Sequence, residues 1–195
     1  MEGVKEKQGQ LVFGLDIGTR SIVGTVGYLN GGKFHVLAQR SREHETRAML
    51  DGQIHDIGKV GETISRVKEQ LEEDLGRELT EVCIAAAGRV LRTVTTYVEQ
   101  SFESDREITQ EDVYSLCTMG VEKAYEEFQN SNTDTDMKFY CVGYTAMRYY
   151  MNGYQMGNLE GHKAKTIAVD LIATFLPDDV VDGLYKAVEL AGLHV

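Results

Sequence analysis

The opening segment of the chain places an acidic residue and a glycine at a turn between two apolar stretches. Residues 13–27 read Phe-Gly-Leu-Asp-Ile-Gly-Thr-Arg-Ser-Ile-Val-Gly-Thr-Val-Gly, which predicts a strand, a tight turn and a second strand. Gly18 lacks a side chain, so a phosphate group can approach the backbone there. The pattern is typical of two structures: an ordinary turn, in which Asp16 caps the backbone and Gly18 supplies a positive φ, or a phosphate-binding loop.

In a phosphate-binding loop each residue of this turn has a chemical role. The backbone N–H groups and the hydroxyls of Thr19 and Ser21 would donate to phosphate oxygens, with Arg20 beside them. The carboxylate of Asp16 would hold a phosphate-bound Mg²⁺ through water. The candidate binding residues are therefore Asp16, Gly18, Thr19, Arg20 and Ser21. Asp16 is the single metal candidate, and no residue is assigned a catalytic role.

The composition narrows the class of protein. The 195 residues are 42% hydrophobic and 26% charged, which is typical of a soluble globular chain. The net charge of −11 is spread along the sequence and argues against a nucleic-acid partner. No apolar run approaches the ~18 residues that span a bilayer, and residues 1–10 do not resemble a signal peptide. A cytoplasmic location is therefore expected.

The first part of the chain predicts an α/β layer. Three antiparallel strands are expected at 11–16, 21–29 and 33–42, with a hairpin turn at Asn30-Gly31-Gly32 between the last two. Asp56 predicts the N-cap of a helix with an apolar stripe, and Gly76 predicts its end. The apolar run at 80–87 predicts a buried strand.

The second part predicts a separate module of one helix and three strands. Its expected elements are a strand at 91–102, an exposed turn at 103–106, a helix from a capping box at Thr109 to about Gln129, a loop at 130–136, and strands at 138–151 and 163–176 separated by the glycine-rich 152–161. Pro177 ends this module. The last helix begins at Asp178 and Asp179, and we expect it to return to the first sheet.

Several segments resemble known families. The Asp-x-Gly-Thr turn resembles the first phosphate loop of the actin-like ATPase superfamily. Over nearly the whole chain, five segments in order resemble the FtsA family of actin-like bacterial cell-division proteins: residues 13–27, 49–56, 78–88, 107–113 and 186–195. PilM-type pilus-assembly proteins are the nearest alternative.

The resemblance implies an α/β fold in two parts. Residues 11–88 plus 177–195 would form an actin-like, ribonuclease H-like subdomain that binds nucleotide. Residues 89–176 would form an inserted strand–helix–strand–strand α+β subdomain, which in the FtsA family contacts neighbouring subunits and division partners. The full-length family member binds ATP and Mg²⁺, and it links FtsZ filaments to the inner face of the cell membrane as a cytoplasmic, peripheral protein.

The resemblance also predicts that this chain is the first half of a longer protein. A second phosphate loop would be expected after the last helix, and the sequence reaches Val195 before one appears. With one loop, the chain alone is expected to bind little or no ATP and not to hydrolyse it, although the full-length protein could be a weak ATPase. A phosphotransferase of the sugar-kinase branch is a further alternative. A sugar kinase would have a catalytic aspartate in the first half of its chain, and none is evident in this sequence.

Two other groups of residues have open interpretations. Tyrosines and methionines cluster in the second module and could form core, a contact surface or both: Tyr140, Tyr144, Met147, Tyr149, Tyr150, Met151, Tyr154 and Met156. Asp170, in an apolar run, is interpreted as an edge or interface carboxylate. Cys83, Cys117 and Cys141 are widely spaced, which predicts buried reduced thiols.

Overall fold

The computed structural model describes most of the chain: residues 10–45, 47–86, 91–131 and 137–195. These divide into two compact units. The first unit comprises the described residues up to 86 together with Asp179–Val195, and the second comprises Leu91–Asp178. The expected domain boundary at residue 88 and residues 132–136 of the expected loop lie outside the described residues. In the described ranges, no helix combines the length and apolarity needed to cross a membrane.

The described chain alternates strands with three helices. In order, these are β1 (Leu11–Ile17), β2 (Ser21–Asn30), β3 (Lys33–Glu43), β4 (Met49–Leu50), β5 (Gln53–Ile54), α1 (Ile57–Leu75), β6 (Cys83–Ala86), β7 (Arg92–Glu107), α2 (Gln110–Ser131), β8 (Phe139–Met151), β9 (Tyr154–Met156), β10 (Lys163–Pro177) and α3 (Asp178–Leu190).

The first unit is built on a sheet with the strand order β3-β2-β1-β6. Strands β1, β2 and β3 are antiparallel, and β6 runs parallel to β1. The predicted three-strand meander is therefore confirmed. Gly31 and Gly32 have φ values of 56° and 74°, and Asn30 pairs with Lys33 across them. Positive φ at both central residues is the geometry that joins strands with the natural twist, which explains the glycine pair.

Helix α1 begins and ends at the predicted residues. The carboxylate of Asp56 accepts a hydrogen bond from the N–H of Lys59 at 3.0 Å, and Gly76 closes the helix with φ of 64°. The apolar side of α1 packs on the sheet, where Val67 and Leu71 lie directly over Gly24. Both side chains are fully buried. The apolar stripe therefore identified the buried face of the helix correctly.

Helix α3 returns to the first unit, as predicted. It begins directly after Pro177, and its buried residues Leu184, Ala187 and Val188 belong to the same apolar core as α1. After α3 the chain runs beside β6. His194 accepts a hydrogen bond from the N–H of Val82 at 2.8 Å. His194 also forms a parallel bridge, which places the last residues at the free edge of the sheet.

The second unit is a sheet with the strand order β7-β10-β8-β9 and one packed helix. All neighbouring strands are antiparallel. Strand β10 is central because it lies between β7 and β8. Helix α2 covers one face of the sheet, and the core between them contains Leu116, Phe128, Leu171 and Phe175. The predicted order of one strand, a helix and two long strands is present, with the short β9 added between the last two.

Two local predictions in the second unit were wrong. Residues 103–106, expected as a turn, continue β7 to Glu107, but with a register shift in which residues 102–105 lie opposite a single residue of β10. Residues 152–161, expected as a connection, contain β9. Asn152 and Gly153 adopt φ values of 49° and 84°, which form a tight hairpin turn between β8 and β9.

The predicted burial of the cysteines is confirmed only for Cys117. Cys83 and Cys141 are exposed. Cys83 opens β6, which begins three residues later than expected and whose Ala85 is also exposed. Cys141 lies on β8, where α2 packs less than over β7 and β10. Apolar sequence around a cysteine therefore did not ensure that another element covers it.

The amino terminus of α2 has the predicted capping box. The N–H of Thr109 donates to the carboxylate of Asp112 at 2.9 Å, and the N–H of Asp112 donates to the hydroxyl of Thr109 at 3.3 Å. Arg106 pairs with the same carboxylate. The hydrogen bond from Arg106, followed by that from the Thr109 backbone, lowers the pKa of Asp112 from 3.8 to about 2. The ionised carboxylate therefore stabilises the folded state.

This lowered pKa predicts a pH-dependent effect of Asp112→Asn. Stabilisation from a depressed carboxyl pKa is fully present above the unfolded-state pKa and is lost as the pH falls through the folded-state pKa. The variant should lose about 1 kcal/mol at pH 7, and this deficit should fall by about half by pH 3. Urea unfolding at both pH values measures this loss of stability. The control is Glu111→Gln, which changes an exposed neighbouring residue. An equal deficit at both values would show that the charge is not responsible.

Candidate functional site

The turn between β1 and β2 brings the five candidate residues together. Ile17 and Ile22 are fully buried and pair across the hairpin, which leaves residues 18–21 at its end. The N–H of Gly18 donates to the carbonyl oxygen of Ser21 at 3.0 Å. A Cβ atom at Gly18 would lie 2.9 Å from that oxygen, so any other residue would disturb the turn. We call residues 18–21 the β1–β2 turn.

Three hydrogen bonds connect this turn to the crossover between β3 and α1. The backbone N–H of His44 donates to the carbonyl of Arg20 at 3.0 Å, and its ring Nε2 lies 3.1 Å from the carbonyl oxygen of Gly18. The N–H of Gly52 donates to the hydroxyl oxygen of Thr19 at 3.0 Å. Gly52, with φ of 85°, occupies the tight turn between β4 and β5. The crossover therefore supports the β1–β2 turn from one side.

Asp16 lies on the side of the sheet opposite α1. Its neighbours Leu15 and Ile17 are buried in the core, whereas Asp16 itself is exposed near the carboxyl end of β1. The described residues contain no group of three or more His, Cys, Asp or Glu side chains that could hold a metal ion. An ion held by Asp16 would therefore take its other ligands from phosphate and water, as Mg²⁺ commonly does.

The side chain of Arg20 points to β3. Its Nε donates to the carboxylate of Glu43 at 3.1 Å, and both side chains are largely exposed. Exposed ion pairs of this kind contribute little to stability. Because this pair is weak, Glu43 competes little with a phosphate for Arg20. In the structure, however, the Arg20 side chain contacts Glu43 and is not directed toward a phosphate position.

A small polar cavity lies behind the crossover, against the first turns of α1. Its volume is about 70 Å³, and His44, Lys59 and Glu62 are among its lining residues. Glu45 pairs there with Arg66, and the hydrogen bond from this arginine lowers the pKa of Glu45. The cavity has room for water but is far smaller than the pockets that hold nucleotides.

The sheet of the second unit divides the tyrosine and methionine cluster between its faces. Tyr149 and Met151 pack against the core under α2. Burial, followed by a hydrogen bond with the sulfur of Cys117, raises the pKa of Tyr149 to about 12. Tyr150 lies on the other face and donates to Asp170 at 2.6 Å. The core interpretation is therefore confirmed for some members, and a contact role for the others stays a prediction.

The face that carries Tyr150 also holds residues that the sequence analysis missed. The ring of Tyr97 lies edge-on to that of Tyr150 at 6.0 Å, and Arg148 lies 3.8 Å from Asp170. Because β10 is the central strand, Asp170 is not at a sheet edge. One signal in the sequence could have located Tyr97. The alternating pattern of β7 places it on the same face of the sheet as Glu99.

The residues that support the β1–β2 turn were not predicted from the sequence. Residues 49–56 of the crossover were among the segments that resemble the FtsA family, but no role was predicted for His44 or Gly52. A contact between residues 26 or 33 positions apart follows from tertiary structure, and no local pattern in the sequence reveals it.

The chain is similar in sequence to a cell-division protein and in structure to a chain of a pilus-assembly complex. It is 25% identical over 183 residues to the cell division protein FtsA of Streptococcus pneumoniae serotype 2 (strain D39 / NCTC 7466). That match covers 93% of this chain and 38% of the FtsA sequence. No protein-family model matches the chain.

A solved PilM–PilN type IV pilus biogenesis complex contains a chain of similar structure. The TM-score is 0.60 with 14% identity, over 93% of this chain and 45% of that one. The chain thus spans less than half the length of the proteins that it matches. At this level of identity the structural match concerns the fold alone. The chain therefore shares its α/β fold with part of that chain.

Proposed function

We propose that the chain is the N-terminal part of an FtsA-like, actin-like scaffold. In this proposal the full-length protein binds ATP with Mg²⁺ and links division filaments to the cytoplasmic face of the cell membrane. The observation that carries the nucleotide site is the β1–β2 turn, which closes tightly because Gly18 has no side chain, with the exposed carboxylate of Asp16 beside it. The FtsA assignment is supported by similarity over 93% of the chain.

In this proposal the two units have different roles. The first unit binds the phosphates through Gly18, Thr19, Arg20 and Ser21, and Asp16 holds Mg²⁺ through water. Bound Mg²⁺ would neutralise phosphate charge at this position. The second unit makes protein contacts, including self-association, through the exposed members of its tyrosine cluster, which offer a large contact area at low entropic cost. Hydrolysis is at most a weak activity of the full-length protein.

A PilM-like role in pilus assembly is the second candidate. Its support is the structural match to the PilM–PilN complex over 93% of the chain. Disruption of the gene in its host distinguishes the two roles. Long undivided cells would support the division role, whereas normally dividing cells without pili would support the pilus role.

The nucleotide site can be tested by titrating the ¹⁵N-labelled chain with Mg-ATP and following its amide signals. Because the chain presents one phosphate loop, we expect weak binding, with a dissociation constant of about 1 mM or higher. The largest shifts should occur at residues 16–21. Asp16→Asn should abolish the effect of Mg²⁺ on affinity, which we expect to be about tenfold in the unaltered chain.

The control variant is Asp182→Asn. It removes one negative charge from an exposed position of α3 in the same unit. The control should bind Mg-ATP as the unaltered chain does. Shifts confined to residues outside 16–21 would contradict the proposed site.

A further inference from the structure

We propose that His44 is a positioning residue that holds the β1–β2 turn in its phosphate-binding conformation. This inference rests on the proposed phosphate site. Two groups of His44 engage the turn: the backbone N–H donates to the Arg20 carbonyl at 3.0 Å, and the ring Nε2 lies 3.1 Å from the Gly18 carbonyl. A carbonyl oxygen only accepts hydrogen bonds, so Nε2 carries the proton and donates it.

These two bonds determine where the neighbouring N–H groups point. In a planar trans peptide, the C=O of one residue and the N–H of the next point in opposite directions. The described residues contain no cis peptide bond. Because the carbonyls of Gly18 and Arg20 face His44, the N–H groups of Thr19 and Ser21 face away from it. The turn therefore presents two backbone donors on one side, the arrangement that binds anions such as phosphate.

The hydrogen bond from Gly52 also supports the turn. Its N–H donates to the hydroxyl oxygen of Thr19 at 3.0 Å, so this oxygen serves as an acceptor on the crossover side. A hydroxyl that accepts one bond retains its own hydrogen for donation. Thr19 can therefore still donate to a phosphate while its position is held by the crossover.

In the described part of the chain, the other ring nitrogen of His44 has no contact of this kind. The Nδ1 atom of His44 is buried and has no hydrogen-bond partner among the described residues. A buried polar atom without a partner costs free energy. Among the described residues, Nε2 therefore makes the only hydrogen bond of the ring, and its partner is the turn, which is the contact that a positioning role requires.

The first test measures the turn without ligand. In the full 195-residue chain, the ring of His44 should be in the Nε2–H tautomer at neutral pH, as read from ¹⁵N chemical shifts. Hydrogen exchange of the Gly18 N–H, which donates to Ser21, should be about tenfold faster in His44→Ala than in the unaltered chain. His44→Gln can supply an amide donor in place of Nε2, so it should restore slow exchange. A neutral ring in the Nδ1–H tautomer would overturn the inference, even if His44→Ala failed to fold.

The second test measures binding of Mg-ATP through the amide shifts of Thr19 and Ser21. His44→Ala should weaken binding about fivefold, the change expected from loss of one hydrogen bond, while His44→Gln stays within about twofold. The control is His55→Ala, which removes an exposed histidine from the same crossover. Equal affinity of His44→Ala and the unaltered chain would overturn the role of His44 and leave the phosphate site intact. Shifts of the unaltered chain that are confined to residues outside 16–21 would overturn both.

Discussion

Replacing Phe175 by alanine is expected to destabilise the second unit by about 3–5 kcal/mol, the range for truncation of a buried aromatic residue. Phe175 lies on the central strand β10 and is fully buried. Its ring stacks on that of Phe128 of α2, with centroids 4.7 Å apart, and Tyr125 lies 6.0 Å away. The substitution removes one of the contacts that join the helix to the sheet and leaves a cavity between them. Urea unfolding of the purified chain measures the loss.

A matched variant separates lost volume from lost stacking. Phe175→Leu retains an apolar side chain in the same space, so it should cost less than about 1.5 kcal/mol. Part of that cost is the aromatic contact with Phe128, since ring pairs contribute about 0.5–1.5 kcal/mol beyond burial. If alanine and leucine were equally destabilising, the stacking rather than the volume would stabilise this core. If neither substitution changed the free energy of unfolding, Phe175 would not be packed between α2 and β10 in solution.

The predictions from sequence succeeded where the signal is local. Helix α1 was identified at both ends because Asp56 and Gly76 satisfy the backbone groups that any helix leaves unpaired. The turn at Gly31 and Gly32 was identified because positive φ at two successive residues strongly favours glycine. In each case the structure follows from residues within a few positions of one another.

The predictions failed where the structure depends on distant pairing. The register shift in β7 is determined by its alignment with β10, more than 50 residues later in the chain. The exposure of Cys141 depends on which strands α2 covers, which the sequence of β8 does not reveal. The dipeptide Asn152-Gly153 is a local signal for a hairpin turn, but residues 152–161 were predicted only as a connection between two strands.

The candidate site shows the same division. The turn residues 16–21 were identified from their own pattern, and the structure brings them together at one end of a hairpin. Their supports, His44 and Gly52, are separated from the turn in the sequence by both β2 and β3. Arg20 was included as a phosphate ligand, but its partner Glu43 could not be foreseen without the pairing of β2 with β3.

The second large effect is expected from a single methyl group in the first unit, in Gly27→Ala. A Cβ atom at Gly27 would overlap the carbonyl oxygen of His35 and lie 2.7 Å from the ring of Phe34. The strands are closest here because the register of β2 and β3 shifts between Val26 and Gly27, which leaves Leu37 as an extra residue on β3. Backbone cannot move aside as a flexible side chain can. We expect a loss of about 2–3 kcal/mol, typical of overpacking, measured by urea unfolding.

The same sheet supplies the control for this methyl group. Gly14 lies on the neighbouring strand β1, and a Cβ atom there would meet only the carbonyl of Thr25, at 3.9 Å. Gly14→Ala should therefore change stability by less than about 0.5 kcal/mol, or stabilise slightly, because alanine loses less backbone freedom on folding. Equal effects of the two substitutions would mean that the close approach of β3 to Gly27 is absent in solution. A loss confined to Gly27→Ala would show that the shifted register of β2 and β3 requires a glycine at this position.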